Sequence, residues 1–235
     1  MDDIKKIKID VDMFIPKSDE WVDRYEREIE EQRMAVERQK KLEYYRSSSS
    51  GVPPLFYKES FDTYVTENKQ DELNLEVVKS FSKALNTNKV LLITGKVGNG
   101  KSHLGASIIR EASGLMVTAE DLEIEYSSSM NFSSKHSSED ILEKYSSTNM
   151  LVIDEFGRSM KADKEAELIG YILRKRYSNV VPTCLISNLS KEQIVKRLGG
   201  AVFDRLKETC TAIKFDKPSY RKRIAEDNYD IKTRL

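Results

Sequence analysis

Eight consecutive residues, Gly95-Lys96-Val97-Gly98-Asn99-Gly100-Lys101-Ser102, match the pattern G-x-x-x-x-G-K-[ST], and their types suit the holding of a phosphate chain. Glycine lets backbone N–H groups curl around phosphate oxygens where a side chain would block approach. Lys101 is then placed to reach the β- and γ-phosphates, and the Ser102 hydroxyl to ligate Mg²⁺. A dinucleotide fingerprint is excluded, because G-x-G-x-x-G spacing needs glycine where His103 stands. Gly95 through His103 are the candidate nucleotide-binding residues.

A second group lies about 50 residues further on, where Met150-Leu151-Val152-Ile153 runs into Asp154-Glu155. Four apolar residues ending in acids describe a buried strand that delivers carboxylates to the C-terminal edge of a sheet. Asp154 is the candidate Mg²⁺-associated acid, and Glu155 the base that orients and deprotonates an attacking water. Taken alone, a strand ending in two solvated acids is common. Beside the phosphate loop, the pair implies ATP hydrolysis rather than transfer to a small metabolite.

Two further residues carry two readings each. Asn188 ends the apolar run Cys184-Leu185-Ile186-Ser187, where an amide can hydrogen-bond the γ-phosphate or the lytic water; asparagine is also a routine turn former. Arg205 follows a Gly199-Gly200 break on a predicted helix. It is either an arginine finger for nucleotide held by the next subunit, or a partner of Asp204 or Glu208 on its own surface.

The elements that must position these groups are an alternation of strand and helix. Apolar runs at 89–94, 115–118, 149–153 and 182–187 predict strands, separated by helices from Lys101 and over about 163–178. Short apolar runs between helices describe an α/β fold, a P-loop core with a parallel sheet covered on both faces. Leu75, Val78, Phe81 and Leu85 add an amphipathic helix before the core. Residues 126–150, nine of them serine, read as a mobile surface loop followed by a short helix near 138–147.

Residues 1–46 form a small N-terminal segment containing one long charged helix, capped by Ser18. Trp21, Tyr25, Ile29 and Val36 fall on one stripe too thin to support a globular domain. The stripe either docks on a partner or lies against the rest of the chain. Ser47–Ser50, Gly51 and Pro53-Pro54 break the helix, so 47–60 reads as a linker and 61–235 as the catalytic domain.

Lys+Arg and Asp+Glu number 39 each among 235 residues, which argues against a polybasic protein. Residues 151–235 nevertheless hold 18 basic and 12 acidic residues, the likelier footprint if nucleic acid is a partner. Two cysteines cannot supply a four-ligand zinc site. No apolar run approaches the roughly 20 residues of a membrane span, and the N-terminus lacks a signal-peptide core. The expected location is the cytoplasm, with no membrane partner.

The ordered series resembles an AAA+ ATPase of the bacterial helicase-loader group, the DnaC type, with the IstB transposition helpers as relatives. The resemblance rests on Gly51-Val52-Pro53-Pro54-Leu55, Ser60-Phe61-Asp62-Thr63-Tyr64, Gly100-Lys101-Ser102-His103-Leu104, Val152-Ile153-Asp154-Glu155-Phe156-Gly157, Ser187-Asn188-Leu189-Ser190, Val202-Phe203-Asp204-Arg205-Leu206 and Ser219-Tyr220-Arg221-Lys222-Arg223. It implies Arg205 acting in trans, Arg221 sensing the γ-phosphate, and no helical lid after the core. It further implies ATP-dependent self-association and single-stranded DNA facing the serine-rich region, with Phe132 and Lys135 as candidate contacts. Residues 1–46 would then hook a hexameric DnaB-type helicase through Trp21, Tyr25 and Ile29, in a phage-encoded or a chromosomal loader. The zinc-bearing loaders have cysteines in this segment and this chain has none, so no metal-stabilised N-terminal domain is implied. The alternatives are a transposition helper that binds duplex DNA and a transposase, and an adaptor that uses ATP binding with little hydrolysis.

Overall fold

The computed structural model describes residues 19–131, 134–217 and 219. The chain divides into two units, Met1–Lys40 and Lys41–Leu235. Helix α1 (Asp19–Arg46) begins in the first and ends in the second.

In the first unit the described residues are helical from Asp19 onward. Trp21 and Tyr25, one turn apart, stack with ring centroids 5.0 Å apart and an interplanar angle of 12°. Trp21, Tyr25, Ile29 and Val36 are all exposed, Val36 to 55%.

The second unit is built on five parallel strands: β1 (Val90–Gly95), β2 (Leu115–Thr118), β3 (Leu151–Phe156), β4 (Thr183–Ser187) and β5 (Cys210–Phe215). Their order across the sheet is β2-β3-β4-β1-β5. The central strands are apolar on both faces because both faces are covered. Leu91, Ile93, Val152, Cys184 and Ile186 point to one core, filled by Leu104, Ile108 and Ile109 of α3 (Lys101–Ala112) and Val78 and Phe81 of α2 (Lys69–Ser82). The alternate residues Leu92, Leu151, Ile153 and Leu185 point to the other core. There they meet Leu122 of α4 (Ala119–Ser129), Ile141 and Tyr145 of α5 (Ser138–Ser147), and Ile169 and Ile172 of α6 (Ala162–Ser178). Two short helices, α7 (Lys191–Leu198) and α8 (Gly200–Leu206), precede β5. No helix among the described residues is long and apolar enough to cross a membrane.

Three local features go beyond the sequence pattern. The first half of the serine-rich stretch is not a loop: α4 continues to Ser129, whose hydroxyl bonds the Tyr126 carbonyl at 2.6 Å instead of breaking the helix. Strand β5 is a fifth strand that no uninterrupted apolar run marks, because only Ile213 and Phe215 of its six residues are buried. Residues 47–60 are packed, with three 3-10 turns lying in and after them (Ser48–Ser50, Pro54–Phe56 and Phe61–Thr63). Ser50 and Val52 are buried, and the fully buried Tyr45 donates its phenol to the Phe56 carbonyl at 2.6 Å. Burial pushes that phenol up to about 12.

Arg176 of α6 is wholly buried and holds the sheet's underside together. Its Nε donates to Thr183 Oγ1 at 2.8 Å, Nη1 to the carbonyls of Tyr145 and Thr148 at 2.8 and 2.9 Å, and Nη2 to that of Pro182 at 2.6 Å. With neutral acceptors around it, burial lowers the guanidinium to about 9.

Candidate nucleotide site

The phosphate loop joins β1 to α3 as the spacing predicts. Gly98 and Gly100 have φ of +82° and +86°, a region that side-chain-bearing residues rarely enter, and this turns the backbone between strand and helix. The amide of Asn99 between them is fully buried and donates to the Phe215 carbonyl at 2.6 Å, fixing the loop to the last strand. Lys101 Nζ is held by the carbonyls of Gly95 (2.9 Å) and Lys96 (2.7 Å) and by Asn99 Oδ1 (3.1 Å). Burial lowers its ammonium to about 8, with Asp154 opposing the shift.

Asp154 lies within β3, two residues before its end, and is buried. Burial raises its carboxyl above the usual range, against hydrogen bonds from the Ser102 hydroxyl and from the Glu155 N–H at 2.7 Å. Ser102 and Asp154 thus stand together as two oxygen donors, the kind that Mg²⁺ takes. Glu155 is half-buried, with φ of +58°, where the register of β3 against β4 shifts between Ile153 and Phe156. Its carboxylate pairs with the guanidinium of Arg158.

The loop after β3 is tied to two helices. Glu165 of α6, buried and raised by desolvation, accepts the Gly157 N–H at 3.0 Å. Arg197 of α7 donates to the carbonyls of Gly157 and Ser159, both at 3.2 Å. Arg197 Nη2 also lies 3.1 Å from Glu165 Oε2, close enough for an ion pair though outside hydrogen-bond geometry.

These groups border a cleft of about 540 Å³, a size suited to a nucleoside triphosphate. Its lining includes Val97 to His103, Asp154, Glu155, Arg158, Ser187 and Asn188. Leu55, Phe56, Glu59, Thr63, Tyr64 and Val65, from the segment before the core, also line it. Tyr64 is buried against Gly100 and donates to the Asn99 carbonyl at 3.2 Å, and Lys217 Nζ lies 4.1 Å from its ring centre. His103 bridges the loop to this lip: Nε2 lies 2.7 Å from the Ser60 carbonyl, and Nδ1 3.2 Å from the Glu59 carboxylate.

The structure therefore brings Gly98 to His103, Asp154, Glu155 and Asn188 into one cleft. Gly95 and Lys96 contribute carbonyls to Lys101. Arg205 is exposed on α8 and is not among the described residues lining the cleft of its own chain; Asp204, weighed above as its partner, pairs with Lys207 at 2.6 Å. Lys135 is exposed between α4 and α5. Phe132 and Arg221 lie outside the described residues. Arg158, Glu165 and Arg197 escaped the sequence reading; only Arg158, three residues after Glu155, stood close enough to a motif to be found.

The parallel sheet, the glycine loop at the head of α3 and the acids of β3 together define an AAA+ P-loop protein. The model for IstB-like ATP-binding proteins matches residues 18–227, and the chain belongs to that family. Among curated relatives, the replicative helicase loaders DnaC of Buchnera aphidicola subsp. Acyrthosiphon pisum and of Escherichia coli K12 are each 30% identical over 187 residues. Those residues span 77% of this chain and 76% of the relative. Among solved structures, the DnaC helicase loader superposes with a TM-score of 0.61 at 22% identity, covering 69% of this chain and 99% of that one. AMPPCP-bound DnaA from Aquifex aeolicus gives 0.58 at 17% identity, covering 76% and 56%.

Proposed function

We propose that the protein is an ATP-dependent loader of a hexameric DnaB-type replicative helicase. The observation that supports this most is the 30% identity to DnaC loaders over three quarters of both chains, combined with Lys101, Ser102, Asp154, Glu155 and Asn188 around one cleft. ATP would lie with its phosphates on the backbone of residues 97–102 and on Lys101, and its base towards the lip of Tyr64 and Phe56. Ser102 and Asp154 fit Mg²⁺, which when bound supplies charge neutralisation at the phosphates. Glu155 Oε takes the proton of the attacking water, and the exposed amide of Asn188 orients the water or the terminal phosphate. Arg205, exposed and outside the lining of its own cleft, serves the nucleotide of a neighbouring protomer, and Arg221 senses the γ-phosphate. Trp21, Tyr25 and Ile29 on exposed α1 meet the helicase, and the region of Phe132 and Lys135 takes single-stranded DNA.

The test is light scattering of the full chain mixed with the host's replicative helicase, ATP and Mg²⁺. A complex with the wild type that is lost in Trp21→Glu/Ile29→Glu supports the loader and its hook. The family model favours a second reading, a transposition helper. No helicase complex, with turnover stimulated by duplex DNA, would replace the first reading by the second.

A further inference from the structure

The segment that carries Phe56, Glu59 and Thr63 to the cleft has little core of its own. Of residues 53–63 none is buried, so their place depends on what grips the backbone. Three of their carbonyls are taken by side chains from two helices. The fully buried Tyr45, on the last turn of α1, donates its phenol to the Phe56 carbonyl at 2.6 Å. Arg110 of α3 donates through Nη1 to the Glu59 carbonyl at 3.0 Å, and its guanidinium lies 5.7 Å from the centre of the Tyr45 ring. His103, at the head of the same helix, takes the Ser60 carbonyl at 2.7 Å. The Glu59 carboxylate completes the brace, accepting the Thr63 hydroxyl at 3.0 Å beside His103 Nδ1. Neither Tyr45 nor Arg110 is among the described residues lining the cleft. Tyr44 differs from its neighbour: its phenol donates to the carbonyls of Gly114 at 2.9 Å and Ser49 at 3.3 Å, away from the cleft lining.

We propose that Tyr45 and Arg110 are positioning residues for the nucleoside end of ATP: neither touches the ligand, and together they fix the lip on which its base rests. The assignment rests on ATP occupying the cleft, as proposed above, and deepens that reading. With the phosphates on residues 97–102, the lip at Leu55, Phe56 and Val65 is left for the base. Leu55 and Val65 are 75% and 51% exposed, apolar surface that a planar base covers on binding. A wall ordered before the ligand arrives does not have to be ordered by binding, so loosening it weakens the hold on the ligand. The loss falls on the nucleoside end, because Lys101 keeps its own bonds to Gly95, Lys96 and Asn99. The final turn of α1 is therefore part of the frame of the nucleotide site, and not only the end of a partner-binding helix.

Calorimetric titration of the full chain with ATP and with tripolyphosphate, each with Mg²⁺, separates the two ends of the ligand. Tyr45→Phe and Arg110→Gln should each bind ATP about three- to ten-fold more weakly than wild type, the scale of one lost hydrogen bond, with tripolyphosphate within about two-fold. Arg110→Lys, which keeps a donor, should recover part of the loss. Tyr44→Phe is the control: it loses its bonds on the same turn and should bind both ligands as wild type does. ATP affinity unchanged in both Tyr45→Phe and Arg110→Gln overturns the proposal. So does tripolyphosphate affinity falling in step with ATP, or a loss in Tyr44→Phe as large as in Tyr45→Phe, since either would mark a general weakening of the fold. Arg110→Gln, on a half-buried side chain, keeps the test open should Tyr45→Phe fail to fold. In all of these outcomes the wild type still binds ATP. A wild type that binds neither ligand overturns the ATP reading itself, and this proposal with it.

Discussion

Ser219 lies directly over Gly98: a Cβ built on that glycine would stand 2.2 Å from the serine Oγ. The first residue of the Ser-Tyr-Arg sequence thus rests on the phosphate loop at a glycine of positive φ. Gly98→Ala would meet both the contact and a φ of +82°. We expect it to lose about 1–3 kcal/mol of stability and to bind ATP at least ten-fold more weakly. Gly200→Ala, with nothing within 4 Å, is the control and should be neutral. Urea denaturation and nucleotide titration of the two variants check this.

Lys101→Ala removes a cation that is held wholly by oxygen acceptors of the loop. Hydrogen bonds from charged groups are worth about 1.5–3 kcal/mol, so ATP affinity should fall roughly ten- to hundred-fold while the circular dichroism spectrum is unchanged. Retained affinity would remove the lysine from the phosphates.

Arg205→Ala should leave ATP binding nearly intact and lower turnover by about 10³-fold or more, the scale of an arginine finger. Mixing it with Lys101→Ala, which keeps its own Arg205, should restore activity that neither protein shows alone. Mixtures no better than the sum of their parts would refute action in trans.

Much of this site is legible in the linear sequence because its chemistry is local. Gly95 to His103 is one turn of backbone, and Asp154-Glu155 terminates one apolar run. What could not be read has its causes in distance. Arg197 meets the Gly157 carbonyl across 40 positions, and Glu165 meets the Gly157 N–H from another helix. Strand β5 lacks a continuous apolar run because β1 covers only one of its edges and half its side chains face water. Residues 47–60 have the composition of a tether, yet Tyr45, Ser50 and Val52 are buried, which proline and serine counts cannot reveal.

Tyr45 gives a pH prediction of definite sign. Its phenol is raised to about 12 in the fold, so between pH 10 and 12 the native state keeps a proton that the unfolded chain has lost. The stability this group contributes is complete below pH 10 and is lost as pH rises through 12. Tyr45→Phe should therefore cost about 1 kcal/mol at pH 8, from the bond to Phe56, and the gap should narrow above pH 10. Urea denaturation of both proteins at pH 8 and 11 measures it.

Arg176→Met would leave Thr183 Oγ1 and three carbonyls without their donor inside the core. Each orphaned buried acceptor costs about 1–3 kcal/mol, so a loss of about 3 kcal/mol or more is expected, read by thermal or chemical denaturation. A loss under 1 kcal/mol would show that these carbonyls find other donors.

The two outermost strands set how copies of this chain can join. Strand β2 has four residues, and β5 carries Lys214, whose carbonyl is already taken by Asn74 of α2 at 2.9 Å. Short, charged and covered edges discourage one sheet from extending into another. Copies of this chain are therefore poorly suited to joining edge to edge, and a contact between them would use surfaces other than the rim of the sheet.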